Sequence, residues 1–224
     1  MSDVPGSLSA TTPRFTHLDV PDDARAVVLL LHGGAVSSTR PVDASSLSWQ
    51  RARFLYGALH RPLTDSGLGL ALLRFRVKGW NGRTALHPAP VTDARWALAE
   101  LERRTEAPVV LVGHSMGART GAAVADHPRV RGLVALAPWF PAGESVRPLH
   151  GIGLRAAHGR VDRITSARLT REFVERAATQ VPSATDATFT DMGRRGHYLL
   201  RGSSGWTRFT IDACRELADA VPRR

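Results

Sequence analysis

Short apolar runs alternate with longer amphipathic stretches along most of the chain. Seven runs have the length of strands, at 14–20, 25–32, 68–75, 108–113, 131–137, 151–158 and 186–192. The run 25–32 is apolar at successive positions, which predicts a strand that is covered on both faces. The run 14–20 alternates only weakly, and it predicts a strand at the edge of the sheet.

The stretches between these runs predict helices, because their apolar residues recur at helical spacing. The clearest is 91–104, where one apolar stripe is surrounded by charged residues. Further helices are predicted at 48–61, 116–127, 166–180 and 204–220. Alternating strands and helices are typical of an α/β protein with a mostly parallel sheet and helices on both faces. We therefore expect a single α/β domain over residues 14–224, preceded by a flexible lead-in over 1–13.

The composition is that of an ordinary globular protein, with 224 residues of which 43% are hydrophobic. Cys214 is the only cysteine, which excludes an intrachain disulfide. The first residues lack the basic segment and apolar core of a secretory signal. The longest aliphatic run, 26–31, is far too short to span a membrane. These features predict a cytoplasmic protein.

The formal net charge is +10, and Lys78 is the only lysine among the 30 basic residues. The arginines are scattered along the chain and form no long cluster. No recognisable nucleic-acid-binding motif accompanies them. We expect a solvated arginine surface and no nucleic-acid partner; attraction of acidic partners is the alternative.

The sequence VVLVGHSMGART, residues 109–120, joins a predicted strand to a predicted helix through a Gly-x-Ser-x-Gly turn. Such a turn projects a serine hydroxyl from the sheet edge near a helix N-terminus, where it can act as a nucleophile. Gly113 and Gly117 suit this turn, because side chains at their positions would collide with neighbouring backbone. Ser115 is therefore the candidate nucleophile.

A serine needs a base to take its proton and an acid to orient that base. In this architecture the acid and the base follow the serine in that order, each in a loop after a later strand. Asp162 follows the strand 151–158, and His197 follows the last strand. These residues are the predicted acid and base. Glu144 and Asp191 are rival candidates for the acid.

The reaction also needs N–H donors for the oxyanion of the tetrahedral intermediate. The backbone N–H of Met116 directly follows the nucleophile and is one expected donor. The other is expected in the His-Gly-Gly loop after the strand 25–32, from Gly34, with Ala35 as the alternative. His32 and His114 are interpreted as structural. The histidines are dispersed without ligand spacing, so we predict neither a metal site nor a cofactor.

These motifs together resemble the serine-nucleophile branch of the α/β-hydrolase superfamily. The matching segments, LHGG, GHSMG, HGRVDRIT and GHYLL, stand in family order between residues 25 and 200. The resemblance implies an eight-stranded, mostly parallel sheet, with Ser115, Asp162 and His197 as the catalytic residues. Other segments are similar to compact bacterial members without a cap domain. The segment 139–150, which occupies the usual place of a cap, is too short for more than a lid loop.

Without a cap, we expect a relatively open site that is walled by the loops 76–90 and 139–150. Candidate substrate-binding side chains at its rim are Trp80, Trp139, Phe140 and Tyr198, and possibly Trp206. An apolar wall with few charges suits an acyl or aryl ester. The expected function is a carboxylesterase-type serine hydrolase that acts on a small ester or acyl substrate. A thioesterase, lactonase, amidase or carbon–carbon hydrolase with the same triad, and a non-catalytic binding protein, are the alternatives.

Overall fold

A computed structural model describes residues 12–82, 88–180, 186–199 and 203–220. The strands of this part of the chain are β1 (Arg14–Asp19), β2 (Ala26–Leu31), β3 (Leu68–Arg74), β4 (Val109–His114), β5 (Val130–Leu136), β6 (Gly153–His158) and β7 (Ala187–Asp191). Its α-helices are α1 (Leu47–Thr64), α2 (Ala89–Glu102), α3 (Met116–Ala123), α4 (Ala167–Gln180) and α5 (Ser203–Asp219). A turn of 3-10 helix, Arg147–Leu149, lies between β5 and β6.

The strands form one sheet in the order β1-β3-β2-β4-β5-β6-β7. At one edge β1 runs antiparallel to β3, and every other neighbouring pair is parallel. The predicted α/β fold and the predicted edge strand are confirmed. The described residues contain seven strands, one fewer than the resemblance implied.

The core lies in two layers, because side chains of the central strands alternate between the two faces of the sheet. On β2, Val27 and Leu29 face the layer covered by α2, α3 and α4, whereas Val28 and Leu30 face the layer covered by α1 and α5. Every residue of β2 is buried. This two-sided burial explains why the sequence of β2 is apolar throughout.

Two expectations about the chain differ from the structure or lie beyond it. Helix α3 ends at Ala123, although the apolar pattern predicted a helix to 127. Pro128 disfavours helical backbone at His127, which excludes the last predicted residue, and the helix already leaves helical geometry at Val124, where φ is −114° and ψ is 9°. Most of the predicted lead-in, 1–13, lies outside the described residues. The single domain over 14–224 stays a prediction.

The topology brings the carboxyl ends of the parallel strands to one edge of the sheet. Chemistry in such folds is concentrated at this edge, because the loops that leave it converge there. The segment 137–152, between β5 and β6, contains one short 3-10 turn and no cap domain. The loops after β2, β4, β6 and β7 therefore define the site.

Candidate active site

Ser115 occupies the sharp turn between β4 and α3. Its backbone has φ 55° and ψ −116°, a conformation that costs free energy for a residue with a side chain. Neighbouring strands hold this turn in place: the N–H of Ser115 donates to the carbonyl of Leu136 at 3.0 Å, and the N–H of Trp139 donates to the carbonyl of Ser115 at 3.2 Å.

The two glycines of the turn are required by close backbone contacts. A Cβ atom on Gly117 would lie 2.0 Å from the carbonyl oxygen of Leu31. A Cβ atom on Gly113 would lie 2.4 Å from the backbone of Ala118. A side chain at either glycine would therefore collide with neighbouring backbone, as the sequence predicted.

Ser115, His197 and Asp162 form a continuous hydrogen-bonded chain. The hydroxyl of Ser115 lies 3.1 Å from Nε2 of His197, and Nδ1 of His197 lies 2.8 Å from Oδ2 of Asp162. Because an ionised carboxylate only accepts, Nδ1 of His197 carries a proton, which leaves Nε2 free to accept the proton of the serine. The side chains of His197 and Asp162 are 6% and 1% exposed.

The loop after β6 fixes the carboxylate through its own backbone. Oδ1 of Asp162 accepts hydrogen bonds from the N–H groups of Ile164 and Thr165, at 2.8 and 3.0 Å. This Asx-type turn holds Oδ1, and it leaves Oδ2 directed toward His197. The hydroxyl of Thr165 donates to Oδ2 at 3.0 Å.

His158 is a residue of this site that the sequence reasoning missed. Its Nε2 lies 3.1 Å from Oδ2 of Asp162, and its Nδ1 lies 2.8 Å from the hydroxyl of Thr170. The side chains of His158 and Thr170 are both buried. The available signal was the position of His158, which ends β6 four residues before the acid.

Asp162 is held as an anion in spite of its burial. Burial raises the pKa of this carboxyl, but hydrogen bonds from His158, His197, Thr165 and Ile164 together outweigh burial and hold the pKa well below its usual range. The carboxylate is therefore charged at neutral pH. This charge can offset the imidazolium that forms when His197 accepts a proton.

His114 and His32 flank the site in neutral form. Burial, together with the nearby His197, lowers the pKa of His114 to about 3, and its Nε2 lies 2.8 Å from the carbonyl of His197. Burial also lowers the pKa of His32 to about 4. Nε2 of His32 accepts the N–H of Phe75 at 3.2 Å, and its Nδ1 lies 2.6 Å from the carbonyl of Gly33. Both histidines thus hydrogen-bond backbone groups, in keeping with the structural role expected.

The loop after β2 lies against the nucleophile turn. A Cβ atom on Gly34 would lie 2.4 Å from Cε of Met116, which shows that the side chain of Met116 packs directly against Gly34. The N–H of Ala35 donates to the carbonyl of Lys78 at 2.8 Å, so this alternative donor is already engaged. Met116 is the first residue of α3, where the N–H has no carbonyl partner within its own helix.

The rival acids have other partners. Oε2 of Glu144 lies 2.6 Å from Nε of Arg119. Oδ2 of Asp191 lies 2.8 Å from Nε of Arg160. Asp162 is the candidate acid whose carboxylate contacts His197.

The candidate rim residues fall into different environments. Trp80 and Trp139 face each other at right angles, with ring centroids 6.1 Å apart. Tyr198 is 45% exposed, and its ring lies 5.4 Å from that of His197. Phe140 differs from expectation, because it is stacked on Phe173 at 3.9 Å in the core, and Trp206 is buried within α5.

Neither a metal site nor a membrane-spanning helix is found in the part of the chain that the structure describes. No group of three or more His, Cys, Asp and Glu side chains in it could hold a metal ion. None of its helices combines the length and apolar character needed to cross a membrane.

A mostly parallel sheet with a serine at a strand–helix turn, followed by an aspartate and a histidine on later loops, is the architecture of an α/β hydrolase. The model of the alpha/beta hydrolase family matches residues 28–222, and the chain belongs to this family. No curated protein sequence matches this chain.

Solved structures share the fold at low sequence identity. An α/β serine hydrolase without a lid from Xanthomonas campestris is 18% identical, covers 97% of this chain and all of its own chain, and has a TM-score of 0.61. An esterase domain from Rhodothermus marinus is 16% identical over 89% of this chain and 91% of its own, with a TM-score of 0.59. Est1E of Butyrivibrio proteoclasticus, solved with ferulic acid, is 11% identical over 92% of this chain and 96% of its own, with a TM-score of 0.63.

Proposed function

We propose that the protein is a carboxylesterase-type serine hydrolase with Ser115 as nucleophile, His197 as base and Asp162 as the acid that orients the base. The observation that carries this proposal is the chain of contacts from Oγ of Ser115 to Nε2 of His197 at 3.1 Å and from Nδ1 of His197 to Asp162 at 2.8 Å. A protein that only binds ligands would not need this geometry, which suits general-base activation of a serine.

The reaction begins when Nε2 of His197 takes the hydroxyl proton of Ser115 as Oγ attacks the ester carbonyl. The N–H groups of Met116 and Gly34 stabilise the oxyanion that results. His197 then gives its proton to the departing alkoxide, the ester C–O bond breaks, and an acyl-serine remains. A water molecule, deprotonated by His197, attacks the acyl-serine and releases the acid, and the proton returns to Ser115.

Asp162 contributes in two ways to these steps. Its hydrogen bond to Nδ1 of His197 keeps the imidazole in the tautomer whose Nε2 can accept a proton. Its negative charge stabilises the imidazolium between the two proton transfers. The backbone donors on Oδ1 and the three side chains around Oδ2 hold the carboxylate in the required orientation.

The first test uses p-nitrophenyl esters and thioesters of graded acyl length with the wild-type protein and Ser115→Ala. We expect the variant to lose turnover to the level of the uncatalysed reaction while its circular dichroism and melting temperature stay unchanged. Ser204→Ala, an exposed serine in α5, is the matched control and is expected to keep full activity. Turnover by Ser115→Ala at the wild-type rate contradicts the proposal.

A fluorophosphonate probe gives a second, substrate-independent test. It should label Ser115 in the wild-type protein and leave Ser115→Ala unlabelled, as located by peptide mass spectrometry. Lactones and amides added to the ester and thioester panel distinguish the bond that is cleaved, because all four classes can be compared under the same conditions. A strong preference for one of those classes over oxygen esters would replace the carboxylesterase assignment and keep the triad.

A further inference from the structure

A cavity of about 300 Å³ lies near the nucleophile turn, since Arg119 of α3 and Trp139 line it. Its described lining consists of Val36, Ser37, Trp80, Asn81, Gly82, Arg119 and Trp139. The volume is at the lower end of the range for small-molecule sites. A second cavity, which His114 and Tyr198 help to line on the other side of the sheet, measures about 30 Å³ and has room for little more than water. Of these two cavities, the first is the one with room for part of a substrate.

The walls of this cavity are tied to the catalytic turn. Arg119 lies one turn along α3 from Ser115. The N–H of Trp139 donates to the carbonyl of Ser115 at 3.2 Å, and the N–H of Trp80 donates to the carbonyl of Ala35 at 2.8 Å. A ligand with its ester at Ser115 could thus extend into this cavity.

Arg119 lies in the corner that the two indoles form. Its Cζ is 4.2 Å from the ring centroid of Trp80 and 4.5 Å from that of Trp139. Such cation–π contacts hold a guanidinium in one orientation. The corner also gives the cavity flat aromatic surface, which favours a flat and mostly apolar group.

The polar capacity of Arg119 is only partly used. Its Nε lies 2.6 Å from Oε2 of Glu144, and the two side chains are 16% and 18% exposed. Its two Nη groups donate no hydrogen bond to the part of the chain that the structure describes, although the side chain lines the cavity. A guanidinium has five N–H donors, so donors remain for an acceptor in the cavity.

The charge balance indicates which acceptor fits. Among the described residues that line the cavity, Arg119 is the one with a charged side chain, and Glu144 already neutralises it. A carboxylate on the ligand would bring a second anion to a mostly buried pair without a second cation. An uncharged oxygen, such as a carbonyl or ether, can accept from Nη without that cost.

We propose that this cavity is the specificity site for an ester whose acyl or alcohol part is flat and mostly apolar and carries an uncharged oxygen acceptor, which Arg119 binds through Nη. The identity of the cleaved bond rests on the proposed function. Binding in the cavity does not, since it needs no reaction at Ser115.

The kinetic test compares two probes of nearly equal shape, the p-nitrophenyl esters of 4-acetylbenzoate and 4-isopropenylbenzoate, which differ in one carbonyl. The matching acetates of 4-acetylphenol and 4-isopropenylphenol place the same groups on the alcohol side. For each pair we compare the ratio of the two kcat/KM values with the ratio of the two rates of hydrolysis by hydroxide. In one of the two series we expect the wild-type protein to favour the acetyl ester about tenfold more strongly than hydroxide does. The intrinsic reactivity of the probes cancels when the same ratio is compared between variants.

The informative variant is Arg119→Met with Glu144→Gln, because removing the arginine alone would leave a mostly buried carboxylate without its ion-pair partner. We expect this double variant to reduce the acetyl preference to the ratio for hydroxide. The matched control is Arg168→Met with Glu172→Gln, which removes an exposed Arg–Glu pair from α4 and should keep the preference. The proposal is overturned if the Arg119 and Glu144 double variant keeps the wild-type ratio of kcat/KM for the acetyl and isopropenyl esters. This includes the case in which kcat/KM falls equally for both esters.

Calorimetric binding to Ser115→Ala separates this proposal from the proposed function. The acetyl ester should bind Ser115→Ala about tenfold more tightly than the isopropenyl ester, and the difference should vanish when the Arg119 and Glu144 substitutions are added. A 4-carboxybenzoate ester should bind more weakly than the acetyl ester, and Glu144→Gln should reverse that order. Tighter binding of the carboxylate ester without Glu144→Gln would contradict an uncharged acceptor, whatever the kinetic result for Ser115.

Discussion

His158 donates from Nε2 to Oδ2 of Asp162 at 3.1 Å, the same oxygen that accepts Nδ1–H of His197 at 2.8 Å. Two imidazoles thus share one carboxylate, one from the end of β6 and one from the loop after β7. Oγ1 of Thr170, 2.8 Å from Nδ1 of His158, holds the second ring in place. His158 therefore helps to orient the proposed acid, although it makes no hydrogen bond to Ser115.

We expect His158→Leu to lower kcat about tenfold with little change in KM, because Asp162 loses one of its orienting donors but the substrate site is untouched. His158→Gln retains an amide donor and should recover part of the loss. Steady-state kinetics on both variants, with melting temperatures measured alongside, check this. Equal kcat values for the wild-type protein and His158→Leu would show that the contact has no part in catalysis.

A substitution at Asp162 tests the assignment of the acid. Asp162→Asn should lower kcat by about 10⁴, because an amide can donate to Nδ1 of His197 and so favour the unproductive tautomer. Asp191→Asn is the matched control: its carboxylate pairs with Arg160 on the surface, and its loss should change kcat less than twofold. Comparable losses in the two variants would contradict Asp162 as the acid.

The sequence predicted the elements of the fold and the members of the hydrogen-bonded chain, because both depend on order along the chain. Strand length, helical spacing and the position of loops after strands were sufficient to find Ser115, Asp162 and His197. Contacts between distant segments were not predictable in this way. The pairing of Arg119 with Glu144 and the stacking of Phe140 on Phe173 depend on how the segment after β5 folds against the helices.

The glycines of the nucleophile turn give a prediction about stability. Gly117→Ala should lower the free energy of unfolding by about 3 kcal/mol or prevent folding, because its Cβ would lie 2.0 Å from the backbone of Leu31. Gly57→Ala is the matched control in the exposed face of α1, where an added Cβ meets nothing within 4 Å. It should raise the free energy of unfolding by about 0.5–1 kcal/mol. Urea unfolding of both variants measures the contrast, and similar effects would refute this account of the turn.

The buried neutral histidines predict how stability depends on pH. In the folded protein burial lowers the pKa of His114 to about 3 and that of His32 to about 4, from an ordinary value of 6.5. Between these values and 6.5 the unfolded chain binds more protons than the folded one, so stability must fall as the pH falls. The loss should reach about 2 kcal/mol for each histidine between pH 7 and pH 5.

The measurement is urea unfolding at several pH values from 7 to 5, for the wild-type protein and for His114→Gln. Glutamine can keep a hydrogen bond to the carbonyl of His197 but cannot take up a proton, so the variant should lose about 2 kcal/mol less stability over this range. The carboxylates whose pKa values are lowered, Asp43 and Asp162 among them, affect stability only below about pH 4 and do not mask the effect. An identical dependence in both proteins would mean that His114 is not held neutral by the fold.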